Sequence, residues 1–245
     1  MNDNIEYSES GQPIYRYESK EHKWKPPVYG DLDLIRKMEE HIEKYIGKIQ
    51  SVYHELVSDT LHLDVYYIKP SKERNNHIFI TSGMSFLPMN TPEGLEDYKY
   101  AELMICLPES WPVFEEAFKN EVNYWPIRLL KNIARFPHDY ETWLGFAHTI
   151  PNGNPPEPIY DNIKFNGIML LPPIMLNRNF LTLKVDEKRT INFYTIIPLY
   201  EEEMDYKLKN GYEGLLDKFD EFGINEIIDT NRKNTCKKTF WPFKK

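Results

Sequence analysis

A carboxylate set inside an apolar run is the first place in this chain where chemistry could reside. Glu102 interrupts YAELMICL (100–107), and its alternation partners Tyr100, Met104 and Cys106 predict a partly buried side chain. A buried carboxylate must be hydrogen-bonded or paired, and burial raises its pKa. That suits a general base. It suits a structural acceptor better, bonded to an arginine such as Arg128 or Arg232, because no activated nucleophile or second acid accompanies it.

His148 is the second candidate. It ends the apolar run LGFAHTI (144–150) and begins HTIPNGNPPEP, where Pro151, Pro155, Pro156 and Pro158 exclude helix and central strand. An irregular loop launched from a scaffold strand often carries function, and it can equally be a stiff connector. His138, with Asp139 beside it, and His148 flank that predicted strand. A metal site needs three or four converging ligands, and no such spacing is present, so neither metal nor cofactor is expected. Glu201–Glu203 with Asp205 open a predicted helix, where carboxylates complement the positive end of the helix dipole. Asp229 and Arg232, three apart in IIDTNRK, are expected to form an ion pair that closes the fold.

The elements that must position these residues follow from periodicity. Apolar residues at three- and four-residue steps from Leu32 to Leu56 predict a long N-terminal helix capped by Asp31, with Gly47 as a kink. Residues 61–68 alternate as a half-buried strand, 77–82 form a second and 100–107 a third, together an antiparallel meander. Helical patterns follow Trp111 and run over 125–136, with Pro137 after the stop. Strands are expected at 144–150, 164–171, 179–185 and 190–200, the last ending at a sheet edge or bending at Pro198. Helices at EEEMDYKL and EGLLDKFDEF and a short strand at 225–233 complete the reading. Strands on either side of a helical block indicate α+β: a mixed or antiparallel sheet flanked by helices. The organisation is an extended arm over 1–30, one domain over 31–235 and a basic tail over 236–245.

Composition limits the function. Among 245 residues 41% are hydrophobic and 14% aromatic, enough for a substantial core. A net charge of −8 argues against direct nucleic-acid binding and permits a basic protein partner. No apolar run approaches a membrane span, and MNDNIEYSES lacks the basic start and apolar centre of a secretory signal, so cytoplasm is the expected location. Cys106 reads as a small core residue and Cys236 as uninformative.

Five blocks in order, HIFITSGMSFLPM, YAELMICLPESWP, WPIRLLKNIARFPHDYETWLGFAHTIPNG, IIPLYEEEM and IIDTNRK, resemble the suppressor of fused domain, most closely its bacterial branch, over roughly residues 30 to 235. The resemblance implies a domain that binds proteins instead of transforming small molecules. Animal relatives resemble two-lobed clamps on an extended peptide; bacterial relatives are associated with toxin systems as immunity proteins. It also implies that His148 belongs to the framework or the binding cleft. The expected function is a non-enzymatic immunity or antitoxin protein that occludes a basic toxin. An edge strand or the cleft near Asp97–Glu102 would accept a partner segment by β-augmentation. The expected contacts are Asp97, Tyr98, Tyr100, Glu102, Trp143 and His148, with the aromatics as anchors. The competing reading is a hydrolase or transferase using Glu102 and His148 as an acid/base pair, which requires the two to converge in a solvent-reachable pocket.

Overall fold

The computed structural model describes residues 6–18, 26, 28, 30–55 and 61–237. Most of the basic tail and parts of the N-terminal arm lie outside them. Within the arm, β1 (Glu6–Tyr7) and β2 (Pro13–Ile14) pair as a small antiparallel hairpin. Helix α1 (Leu32–Tyr45) starts where expected: the Asp31 carboxylate accepts from the Leu34 N–H at 2.8 Å. It ends earlier than the apolar spacing suggests. Gly47 adopts φ 139°, a conformation that stops a helix, and residues beyond it turn into strand β3 (Ser51–Tyr53). Val52 and Tyr53 kept helical spacing by coincidence, and Leu56 lies outside the described residues.

Strands β4 (Asp64–Ile68), β5 (Asn76–Ser82) and β6 (Tyr100–Pro108) extend β3 into the expected antiparallel meander. β4 is not half-buried, however; Tyr66, placed on the outer face by alternation, is 2% exposed. Every residue of β5 is buried, because layers cover both faces of the sheet there. After the short helix α2 (Glu115–Phe118), helix α3 (Glu121–Asp139) packs on β5 and β6. α3 contains both Pro126 and Pro137. Pro137 therefore does not mark the stop; the helix runs two residues past it.

LGFAHTI supplies only β7 (Thr149–Pro151), and residues before it form turns. β8 (Gly167–Leu171), β9 (Thr182–Lys184) and β10 (Thr190–Leu199) complete the sheet, in the order β3-β4-β5-β6-β10-β8-β7 with β9 also on β10. Among the described strands, only β6 and β10 pair in parallel. β10 is thus central, not an edge. Pro198 is tolerated because β10 pairs with β6 only through Thr195↔Met104; farther on, Cys106 bridges Ile227 instead. Residues 225–233 contribute that bridge and no strand. Helix α4 (Glu201–Phe222) is two helical stretches joined across a kink at Gly211, φ 86°.

The main core joins Leu34, Met38 and Ile42 of α1 with β4–β6, β10 and α3. A smaller one sets Met204, Leu215 and Phe219 of α4 against Ala147, Met169, Ile197 and Leu199. Cys106 is 1% exposed and belongs to the main core.

Candidate functional site

Three of the aromatic and imidazole residues expected to bind a partner converge. Tyr98 sits on a one-turn 3-10 helix (Glu96–Tyr98), Trp143 follows α3, and His148 precedes β7. The Trp143 and His148 rings meet edge-on with centroids 4.3 Å apart, and Tyr98 lies 6.4 Å from Trp143. Asn192 of β10 fixes the Tyr98 turn by donating from Nδ2 to the carbonyls of Asp97 (2.8 Å) and Tyr100 (3.2 Å). On the other side, the Ala147 N–H donates to Leu170 and the Leu170 N–H to His148, which ties the His148 segment to β8. Ala147 itself has φ 60°, an unfavourable conformation for a residue with a Cβ, and surrounding contacts must hold it there.

Neighbours that sequence reading did not single out complete the cluster. Phe146 is 42% exposed and packs on Tyr212 of α4, 5.2 Å between centroids. Lys207 of α4 lies close enough to His148 to repel its protonated form. Burial holds the Lys207 ammonium down to about 8. Burial first, and then Lys207, bring the His148 imidazole down to about 4, so it is neutral near pH 7. The N-terminal hairpin borders this region: the Ser10 N–H donates to the Leu208 carbonyl at 3.0 Å, and the Tyr17 hydroxyl hydrogen-bonds Thr142 Oγ1 at 2.5 Å. No periodicity marks Lys207 or Phe146. Only the return of α4 onto the His148 segment brings them in.

The depressed His148 pKa has a consequence for acid stability. The unfolded chain binds a proton at about 6.5 and the folded one at about 4, so this contribution to stability is lost as pH falls between them. His41, His77 and His138 are lowered too, chiefly by burial. His148→Gln is expected to flatten, not abolish, the loss of stability from pH 6.5 to 4 in urea unfolding. An unchanged slope would show that His148 is already solvated.

The other expected contacts are placed elsewhere. Tyr100 stacks under the Arg189 guanidinium at 4.6 Å, and Asp97 is exposed beside Tyr98. Glu102 is fully buried on β6 and reaches no surface. Its Oε2 accepts from Thr81 Oγ1 (2.5 Å), and its Oε1 from the N–H of Gly83 (3.0 Å), the N–H of Ser85 (2.9 Å) and Ser85 Oγ (2.6 Å). Burial raises its pKa, and these bonds pull it back. No arginine takes part: Arg128 pairs with Glu121, and Arg232 with Glu203. Glu102 is therefore a structural acceptor closed to solvent, and it does not meet the condition set for an acid/base pair with His148. β6 lies inside the sheet between β5 and β10, whereas β7, at one end of the sheet, is an edge next to the cluster.

The expected ion pair is also corrected. Arg232 is held not by Asp229 but by Glu203, in a two-pronged bridge: Nη1 to Oε1 at 2.7 Å and Nη2 to Oε2 at 2.6 Å. Asp229 is exposed and accepts from the Asn231 N–H at 2.8 Å. Glu203 is fully buried and accepts further from Thr235 N–H and Oγ1, and from the Tyr200 N–H. In the sequence nothing separates Glu203 from Glu201 and Glu202 except helical phase, which turns it alone inward. His138 hydrogen-bonds the Met84 carbonyl at 2.9 Å, the ordinary structural role. Among the described residues no group of three His, Cys, Asp or Glu could hold a metal ion. None of their helices is long and apolar enough to cross a membrane.

Among the described residues the strands thus form a mixed sheet in which β6 and β10 run parallel. The sequence pattern of the family described as Suppressor of fused protein (SUFU) matches residues 59–233, and the chain belongs to that family. An uncharacterized Ureaplasma parvum protein, UU111, is 29% identical over 238 residues, 96% of this chain and 100% of that one. A crystal structure of a suppressor of fused homolog from Neisseria gonorrhoeae superposes with a TM-score of 0.61 at 18% identity, covering 85% of this chain and all of that one. A chain of the Sufu–Fu complex crystal structure superposes with a TM-score of 0.57 at 16% identity, covering 86% of this chain and 93% of that one. Drosophila Suppressor of Fused matches at 0.57 and 16%, and this chain spans half of its length.

Proposed function

We propose that this chain is a non-enzymatic, cytoplasmic protein-binding domain that neutralises a basic toxin by direct binding, as an immunity or antitoxin protein does. The observation that carries the reading is the half-open Tyr98–Trp143–His148 cluster beside a strained segment and an unpartnered sheet edge. Aromatic anchors of this kind supply most of the energy of protein interfaces. The Sufu–Fu complex supports the protein-binding part, as a relative of the same fold that binds a protein. The net charge of −8 supports a basic partner, because complementary charge speeds encounter. Asp97, Tyr98, Trp143 and His148 would touch the partner, Tyr100 would present its ring with Arg189, and Glu102 would support the site from below. The partner's extended segment would add to β7.

The test is co-purification of the tagged protein with the product of the adjacent gene, combined with a toxicity assay. A stoichiometric complex that suppresses toxicity is expected. Trp143→Ala should weaken it about 30-fold or more, the loss of a hot spot of about 2 kcal/mol, in protein that unfolding curves show to be folded at the assay temperature. A well-folded protein that forms no complex would rule out neutralisation by direct binding.

A further inference from the structure

A second recessed site lies away from the aromatic cluster. A cleft of about 50 Å³ opens between the C-terminal half of α4, the end of β8 and residues 224–226. Its walls include Leu171, Ile197, Leu216 and Phe219, and two buried polar residues, Thr195 and Glu226, line it beside the exposed Asp220 and Asn225. Thr195 and Glu226 are 1% and 3% exposed. Glu226 Oε1 accepts from the Met175 N–H at 3.1 Å, and the Ile174 N–H also donates to this carboxyl. Its other oxygen, Oε2, and the hydroxyl Oγ1 of Thr195 have no hydrogen-bond partner. Two orphaned, buried polar atoms on residues that line one small cleft are costly unless something arrives to meet them. Ile174 and Met175, 73% and 51% exposed, stand next to it as an apolar rim.

We propose that this cleft receives a lysine side chain of a protein partner, its ammonium hydrogen-bonded to Glu226 Oε2 and Thr195 Oγ1 and its aliphatic stem laid on Leu216 and Phe219. The unmet groups set the chemistry of the occupant. One carboxylate oxygen and one hydroxyl can both accept, so a single ligand donor group satisfies both, and the carboxylate favours a cation. Asp220, exposed on the lining, adds negative charge. A guanidinium would need a two-oxygen fork, but Oε1 of Glu226 already accepts from the Met175 N–H; a compact ammonium needs only one oxygen. The apolar walls match a methylene chain, which packs along apolar surface while its charged head finds polar partners. The cleft is too small for a cofactor or a folded segment, yet larger than one water requires. Burial pushes the Glu226 carboxyl up to about 7, so an arriving ammonium would return it to the ionised form and release a proton.

This inference rests on the chain being a protein-binding domain, but its test needs no partner. Nα-acetyl-lysine N-methylamide and its norleucine counterpart are titrated into the full-length protein while the amide signals of Ile174 and Met175 are followed by NMR. The lysine compound should shift both signals to saturation, and norleucine should not. Glu226→Gln should weaken binding about tenfold or more, and Thr195→Val, which keeps the shape, should weaken it measurably. No shift with lysine, or equal shifts with norleucine, would overturn the proposal and leave the cleft as a water-filled structural cavity. Should Glu226→Gln fail to fold, Thr195→Val and the norleucine control decide. Loss of toxin capture with lysine binding intact would fault the proposed function and not this site.

Discussion

Arg232→Ala is expected to lower the unfolding free energy by about 3–5 kcal/mol, the cost of leaving a buried charge without its partner. In a chain of this length that corresponds to a melting temperature about 10 °C lower or more. The guanidinium makes several contacts at once. It bridges both oxygens of Glu203, donates from Nη2 to the Pro198 carbonyl at 2.8 Å, and lies over the rings of Tyr200 and Phe165 at 4.8 and 4.9 Å. The Arg232 backbone carbonyl accepts from the Tyr200 hydroxyl at 2.5 Å. The residue thereby fastens the 225–235 segment to the end of β10 and the start of α4, where β10 has parted from β6. Removing it leaves the Glu203 carboxylate buried with only neutral donors, the Thr235 and Tyr200 groups, around it. Arg232→Lys should recover little, since one ammonium cannot span two carboxylate oxygens and a carbonyl while stacking on two rings. Equilibrium urea unfolding checks this. A loss below about 1 kcal/mol, the range of an exposed pair, would mean that solvent reaches the bridge.

Glu102→Leu is the second large effect, at about 4 kcal/mol. The substitution strands the donors of Thr81, Gly83 and Ser85 in a dry interior, each costing about 1–3 kcal/mol before relaxation. The loop from Gly83 to Phe86 is folded around this carboxylate. Gly83 has φ 149°, and a Cβ there would run into the His62 carbonyl, so the turn has little freedom to find other acceptors. Glu102→Gln should cost less, about 1–2 kcal/mol, because the amide keeps one acceptor and Thr81 Oγ1 can accept in place of donating. Urea unfolding of both variants, with amide exchange at Gly83 and Ser85, separates the cases. If Leu and Gln cost the same, the network contributes nothing beyond side-chain shape. Since Glu102 lies beneath the surface, any effect of these variants on partner binding should follow the stability loss.

Much of this protein was legible in the sequence because short-range physics decided it. The Asp31 cap, the meander of β4, β5 and β6, and the buried, hydrogen-bonded state of Glu102 follow from local pattern and from the cost of burying charge. The five ordered blocks identified the family for the same reason: they carry the strands and turns of the sheet. What the sequence could not decide were matters of layer and partner. Tyr66 alternates as if solvent lay on one side, and only a second covering layer buries it. Helical spacing continues past Gly47, but a positive φ there ends α1 and gives Ser51–Tyr53 to the sheet edge. Arg232 has an acid three residues away, yet its partner is 29 residues earlier, because the last segment folds back across α4 instead of extending as a strand. The meeting of Tyr98, Trp143, His148 and Lys207, and the two unmet polar atoms beside α4, likewise exist only once α4 closes on the β7–β8 end of the sheet. Periodicity specifies which face of an element is apolar; which neighbour covers that face is a property of the whole chain.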